Sequence, residues 1–222
     1  VVYLPDIYAG DGLKGVPRGT VKQMRVFTYH FSYQGMGGLL GAIGMDGPWD
    51  IKRVLGTVPV NPDGSAKFRI PANTPVSLQP LDDEGQAIQL MRSWMTAMPG
   101  ETVQCTGCHE RQNTAPPLKS TLALNARPAE IQPWYGPTRG FSYPREVQPV
   151  VDRHCVGCHN GQPRPDGTTL CDLRGTEKIK DWKSVTPGNG GGHGGKFSVG
   201  YAELHRFVRR PGIESDYHVL EP

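Results

Sequence analysis

The chain has 222 residues, enough for one large domain or two small ones with a true apolar core. Its 29 Gly and 21 Pro point to a loop-rich fold, and aromatic residues spread along the chain argue against disorder. A net charge of +3 gives no basic stripe for nucleic acid, and no apolar run reaches the roughly 18 residues needed to cross a bilayer.

The chain begins with Val1 rather than Met, so it is expected to be a processed or partial product. Val21 to Phe31 alternates, with Met24, Val26, Thr28 and His30 on one face and Phe27, Tyr29 and Phe31 on the other. Both faces are largely apolar, which predicts a strand covered on both sides. Val54–Val60 and Ala66–Ile70 flank the turn sequence Asn61-Pro62-Asp63-Gly64, a first hairpin candidate. Val76–Leu81 and Ala87–Met91 flank Asp82-Asp83-Glu84-Gly85, a second one. Ala87 to Met98 also fits helical spacing through Met91, Trp94 and Met98, but the turn just before it favours a strand.

Next comes Cys105-Thr106-Gly107-Cys108-His109, and fifty residues later Cys155-Val156-Gly157-Cys158-His159. Cysteines at i and i+3 share one side of a helical turn. They can form two thioethers to the vinyl groups of one haem, while the following imidazole binds the iron. This is the c-type attachment signature. A zinc ribbon would space its pairs more closely and has no use for His after both of them. A redox dithiol would need a βαβ context that is missing here. The reading is two haem c groups held by Cys105, Cys108, Cys155 and Cys158, with His109 and His159 as proximal ligands. Haem attachment of this kind implies a periplasmic or otherwise extracytoplasmic compartment.

From Arg111 to Gly140 the chain is rich in Pro and polar residues and reads as a wrapping connector. Glu146–Cys158 carries a helical stripe of Val147, Val150, Val151 and Cys155, with Pro149 suited to the first turn. Gly188–Gly195 reads as a flexible loop, and Tyr201–Arg210 as a short helix. The fold class is α+β. A β-rich, sandwich-like domain over 1–120 ends in the first motif, and a small, loop-rich helical cytochrome c-type domain over 121–222 carries the second.

For the distal faces, His30 in the aromatic strand is the candidate at the first haem and His205 on the last helix at the second. His154, His193 and His218 rank lower. Met91, Met95 and Met98 precede the first motif, with core packing as their ordinary role. Cys171, the fifth cysteine, reads as a buried and inert residue.

The stretch Gly47-Pro48-Trp49-Asp50, then VLGTVPVNPDGSAKFRIPANTPVSLQPLDDEGQAIQLMRSWMTAMPGE leading into Cys105–Glu110, resembles the haem-bearing part of hydrazine synthase alpha-subunit-like proteins. So does PREVQPVVDRHCVGCHNG around the second motif. The resemblance implies a middle domain with one haem and a C-terminal domain with a second, bis-histidine haem, inside a large multidomain protein. It also implies a catalytic first haem, its iron held by a Tyr just after the motif and the motif His turned to zinc. This sequence departs from that pattern, because Glu110-Arg111-Gln112-Asn113-Thr114 follows His109 and no Tyr occurs before Tyr135. Ordinary ligation by His109 is then expected. The family also continues beyond Pro222, so the domain is expected to be cut short there.

The leading reading is electron transfer between two haems, with redox partner proteins, further subunits or the rest of a longer polypeptide as partners. The alternative is a haem enzyme subunit whose first, five-coordinate haem acts on a small nitrogen species. No nucleophile triad, phosphate loop or carboxylate pair calls for another chemistry.

Overall fold

Strand-forming residues dominate the first 140 positions, and the computed structural model describes residues 1–29, 52–91, 93–108, 119–178 and 197–205, excepting the side chain of His205. The described residues fall into two compact units, one of 1–29 with 52–140 and one beginning at Phe141.

The first unit holds two sheets. β1 (Val2–Leu4) lies between β4 (Ala66–Phe68), antiparallel to it, and β6 (Val103–Gln104), parallel to it. The second sheet runs β5 (Val76–Leu81), β2 (Gln23–Tyr29), β3 (Lys52–Pro59) and β7 (Arg139–Gly140), all antiparallel. Both sheets feed one core, with Val2, Leu4 and Phe68 from the first and Met24, Val26, Val58, Val76 and Leu78 from the second. This is a β-rich architecture, as the alternating segments predict.

β2 is central in its sheet, and Met24, Val26, Phe27 and Tyr29 are all buried. A two-faced apolar strand can satisfy its burial only at such a position, so the double apolar pattern finds its cause. His30 and Phe31 lie outside the described residues. A register shift sits between Val26 and Phe27, opposite Gly56, whose φ is +148°. A Cβ at Gly56 would lie 2.1 Å from the Gln132 carbonyl oxygen, so glycine is what lets the following chain approach β3.

The turn at Asn61–Gly64 forms as expected, with the Gly64 amide donating to the Asn61 carbonyl at 2.8 Å. Its flanking strands do not form a hairpin with each other. β3 stays in the four-stranded sheet while β4 crosses to pair with β1, helped by the Ile7 amide donating to the Gly64 carbonyl at 2.8 Å. Around Asp82–Gly85 the chain does turn back on β5, with Leu81 bridging Ala87 and Val76 bridging Met95. The pairing there is broken rather than continuous, and the helical alternative for Ala87–Met98 does not form.

The connector belongs to this first unit in its described part. Ala129 exchanges hydrogen bonds with Lys67 and Arg69, Gln132 with Thr57, and Arg139–Gly140 completes the sheet. The unit therefore extends to Gly140, past residue 120 where the sequence places the boundary.

In the second unit a wide helical turn over Tyr143–Val147 leads into α1 (Gln148–His154), with Pro149 in the first turn. Pro lacks only an amide that would be unpaired there anyway, so the helix begins where the sequence places it. α2 (Val199–His205) follows near the end, and the remainder of the predicted Tyr201–Arg210 helix and the Gly188–Gly195 loop lie outside the described residues. Among the described residues, no helix is long and apolar enough to cross a membrane.

Candidate functional site

The first motif is placed by β1 and the segment after it. The Val103 amide donates to the Val1 carbonyl at 2.8 Å, the Cys105 amide to Tyr3 at 3.1 Å, and the Cys108 amide to Ile7 at 3.3 Å. The Gly12 amide closes the run on the Cys108 carbonyl at 3.0 Å. The pair thus leaves the end of a strand, not a helix, and is clamped along the N-terminal segment. Gly107 sits directly on Ala9, where a Cβ would stand 1.9 Å from the Ala9 carbonyl oxygen. Sequence reading gives no sign of this clamp, although the short apolar run Val1–Leu4 is the signal that marks β1.

Cys105 and Cys108 are half-buried and pack against the same core as Ile88, Met91 and Met95. The Cys105 Sγ lies 3.9 Å from the Met95 sulfur. Burial first, and the neighbouring Cys105 second, push the Cys108 thiol up to about 12. His109 and the residues through Leu118 lie outside the described residues, as does His30.

The second motif is built differently. α1 ends at His154, and the turn continues with the Cys155 amide donating to Val151 at 2.8 Å. The Cys158 and His159 amides both donate to the Cys155 carbonyl, at 3.0 and 2.8 Å. Cys155 and Cys158 therefore share one helical turn, as the spacing predicts. Cys158 and Gly157 are exposed, and nothing lies within 4 Å of a Cβ at Gly157. Val150, on the helix leading into the turn, is 57% exposed despite its apolar side chain.

A loop from Cys171 to Gly175 wraps this turn. The Leu173 amide donates to the His159 carbonyl at 2.9 Å, and the His159 Nδ1 lies 3.2 Å from the Cys171 Sγ. Asp172 packs its carboxylate over Gly161, whose φ of +72° turns the chain there, and pairs with Arg174 at 2.6 Å. The Arg174 hydrogen bonds hold the Asp172 carboxyl below the usual carboxylate range. Buried Gln148 spans from α1, its Nε2 donating to Asp152 at 2.7 Å and to the Leu173 carbonyl at 3.0 Å. α2 docks on the same loop: the Gly200 amide donates to the Arg174 carbonyl at 3.1 Å, and a Cβ at Gly200 would stand 2.4 Å from the Leu173 oxygen. Tyr201 stacks on Phe197 and meets Tyr143 edge-on at 5.0 Å.

The structure thus ties the second cysteine pair, His159 and Cys171 into one braced turn. Cys171 is half-buried beside the motif imidazole, which the sequence reading missed by treating it as an isolated residue. His205 ends α2 within this unit, and its side chain lies outside the described residues. His154 is exposed at the end of α1, and His193 and His218 lie outside the described residues. The five cysteines form no disulfide with one another. Cys105 and Cys108 thus lie against the apolar core and Cys155 and Cys158 share one helical turn, and two thiols three positions apart in each motif are a donor set that fits covalent attachment of haem. Among the described residues, no three His, Cys, Asp or Glu side chains gather as a metal cage.

Residues 19–110, which include the first cysteine pair, match the family model of the hydrazine synthase alpha subunit middle domain. The solved structure of Kuenenia stuttgartiensis hydrazine synthase is similar in fold, with a TM-score of 0.62 and 18% identity, over 91% of this chain and 33% of that one. This chain spans about a third of the length of that relative. No curated protein matches it by sequence.

Proposed function

We propose that this chain is the haem-bearing region of a redox enzyme subunit resembling hydrazine synthase alpha, with one haem c on Cys105 and Cys108 and another on Cys155 and Cys158. The observation that carries the reading is the repeated Cys-x-x-Cys-His motif, whose first copy falls at the end of the stretch matching the hydrazine synthase alpha middle domain. When bound, such haems supply one-electron chemistry and an iron centre for a small ligand, with potential set by axial ligands and burial. His109 and His159 are the proximal ligands in this reading, and His30 and His205 the candidate distal ones.

The two surroundings suggest a division of labour. Cys105 and Cys108 pack half-buried against the apolar core, with the Cys105 Sγ 3.9 Å from the Met95 sulfur, a setting that limits water at a reacting centre. Cys155 is half-buried and Cys158 exposed on the second turn, an edge suited to passing electrons to a partner. In this reading Cys105, Cys108 and His109 would hold the haem that supplies an iron centre for a small nitrogen species, and Cys155, Cys158 and His159 would hold one that supplies one-electron transfer in a small cytochrome-like unit. The compartment is extracytoplasmic, and the partners are redox proteins, further subunits or the rest of a longer polypeptide.

A second reading, a dihaem electron carrier without catalysis, is favoured by one feature. Between His109 and Tyr135 there is no Tyr, and Tyr135 itself is 81% exposed. The test is an intact-mass haem count followed by visible spectroscopy. Two haems with a high-spin component that binds carbon monoxide support the enzyme subunit, and two purely low-spin haems support the carrier. A chain matured in a haem c-competent host that gains no haem refutes both.

A further inference from the structure

We propose that Cys171 is a positioning residue for the second haem, its sulfur taking the Nδ1–H of the proximal ligand His159 and so setting the reduction potential of the iron. The proposal rests on the haem reading of the second motif and goes beyond it by assigning the fifth cysteine.

Iron held by His159 through Nε2 leaves the proton on Nδ1, and that N–H must find an acceptor or lose a hydrogen bond on burial. The atom in position is the Cys171 Sγ, 3.2 Å away. A thioether or thiol sulfur is a weak acceptor beside a carbonyl, so the imidazole gains modest extra donor strength. The contact also fixes the plane of the ring.

The loop carrying Cys171 is braced from every side that the described residues supply. The next residue but one, Leu173, donates its amide to the His159 carbonyl at 2.9 Å and accepts from Gln148 Nε2 at 3.0 Å. Asp172 is wedged on Gly161 and pinned by Arg174, whose carbonyl in turn receives the Gly200 amide of α2. The loop that carries Cys171 is thus held by backbone hydrogen bonds to the motif itself and to α2 and by the Gln148 side chain of α1. An inert filler would not need this registration. A contact to a metal-bound imidazole does, since outer-shell partners orient the ligand and tune its basicity.

The test uses the full chain matured with haem, as wild type, Cys171→Ala and Cys171→Ser, with three readouts: haem count, spectroelectrochemical titration, and exchange of the His159 Nδ1–H followed by NMR on histidine-labelled protein. Losing the acceptor weakens donation to ferric iron. In Cys171→Ala one of the two redox waves therefore moves upward, by about threefold to tenfold in the ferrous-to-ferric ratio at fixed potential, or roughly 30–60 mV for one electron. The other wave stays in place. Cys171→Ser, whose hydroxyl can accept the same proton, stays within a third of that shift. In the wild type the Nδ1–H exchanges slowly, and in Cys171→Ala it exchanges at least tenfold faster. An unmoved wave in Cys171→Ala, an equal shift in both substitutions, or a fast-exchanging Nδ1–H in the wild type overturns the proposal while leaving two haems in place. A wild-type chain with no haem on Cys155 and Cys158 overturns the haem reading and this proposal with it.

Discussion

The two motifs carry glycine at the same place, Gly107 and Gly157, and the structure makes opposite predictions for the same substitution. In Gly107→Ala the new methyl would lie 1.9 Å from the Ala9 oxygen, 2.6 Å from its carbonyl carbon and 2.9 Å from its Cβ. Ordinary contacts between such atoms are about 3.5 Å, so the two backbones must part by roughly 1.5 Å. That motion strains the Cys108–Ile7 and Gly12–Cys108 hydrogen bonds, 3.3 and 3.0 Å long. Two weakened hydrogen bonds cost about 1–2 kcal/mol together, and forced overpacking adds about 1–3 kcal/mol. The expected loss is about 2–5 kcal/mol, or a fall in Tm of roughly 10–20 °C for a unit of this size. In Gly157→Ala nothing lies within 4 Å of the methyl, and the position sits in a helical turn. Removing a glycine there changes stability by less than about 1 kcal/mol, with stabilisation as the expected sign. Thermal unfolding followed by far-ultraviolet circular dichroism, with the haem count of each variant, reads both. Equal Tm values for Gly107→Ala and wild type, or an equal fall in both variants, would refute the clamp on Ala9.

Further outcomes follow from other parts of the structure. Gly56→Ala places a methyl 2.1 Å from the Gln132 oxygen at a φ of +148°, so it should lower the urea midpoint by an amount equivalent to at least about 2 kcal/mol, with protease cleavage appearing near residue 132. Phe68, fully buried in the shared core, should cost about 3–5 kcal/mol as Phe68→Ala in the same urea assay. With the Cys108 thiol pushed up to about 12, iodoacetamide at pH 8 should alkylate it roughly a thousandfold more slowly in native haem-free chain than in urea, whereas exposed Cys158 should change little, as peptide mass spectrometry would show. Asp172 is held below the usual carboxylate range by Arg174, so its folded form binds a proton less readily than its unfolded form. Its contribution is present above the ordinary carboxylate value and lost as pH falls through the depressed one. Asp172→Asn should therefore flatten the acid limb of the stability–pH curve below about pH 4, and a limb as steep as that of the wild type would contradict the pairing.

What the sequence by itself determined is whatever depends on neighbours within a few positions. The Cys-x-x-Cys-His runs, the two-faced apolar pattern of Gln23–Tyr29, the turn at Asn61–Gly64 and the helix with Pro149 in its first turn are local signals, each set by side-chain period or backbone preference. Only the tertiary structure decided the partners of those segments. β3 and β4, neighbours across a tight turn, went to different sheets because β1 competes for β4, and the chain near its first residue became the clamp of a motif a hundred positions later. Cys171 shows the same division at short range. Twelve positions separate it from His159, yet their approach depends on Gly161, Asp172, Leu173 and Gln148 together folding a loop back on a helical turn. Local patterns state what a segment can become, and the shared burial of many segments at once selects which surfaces meet.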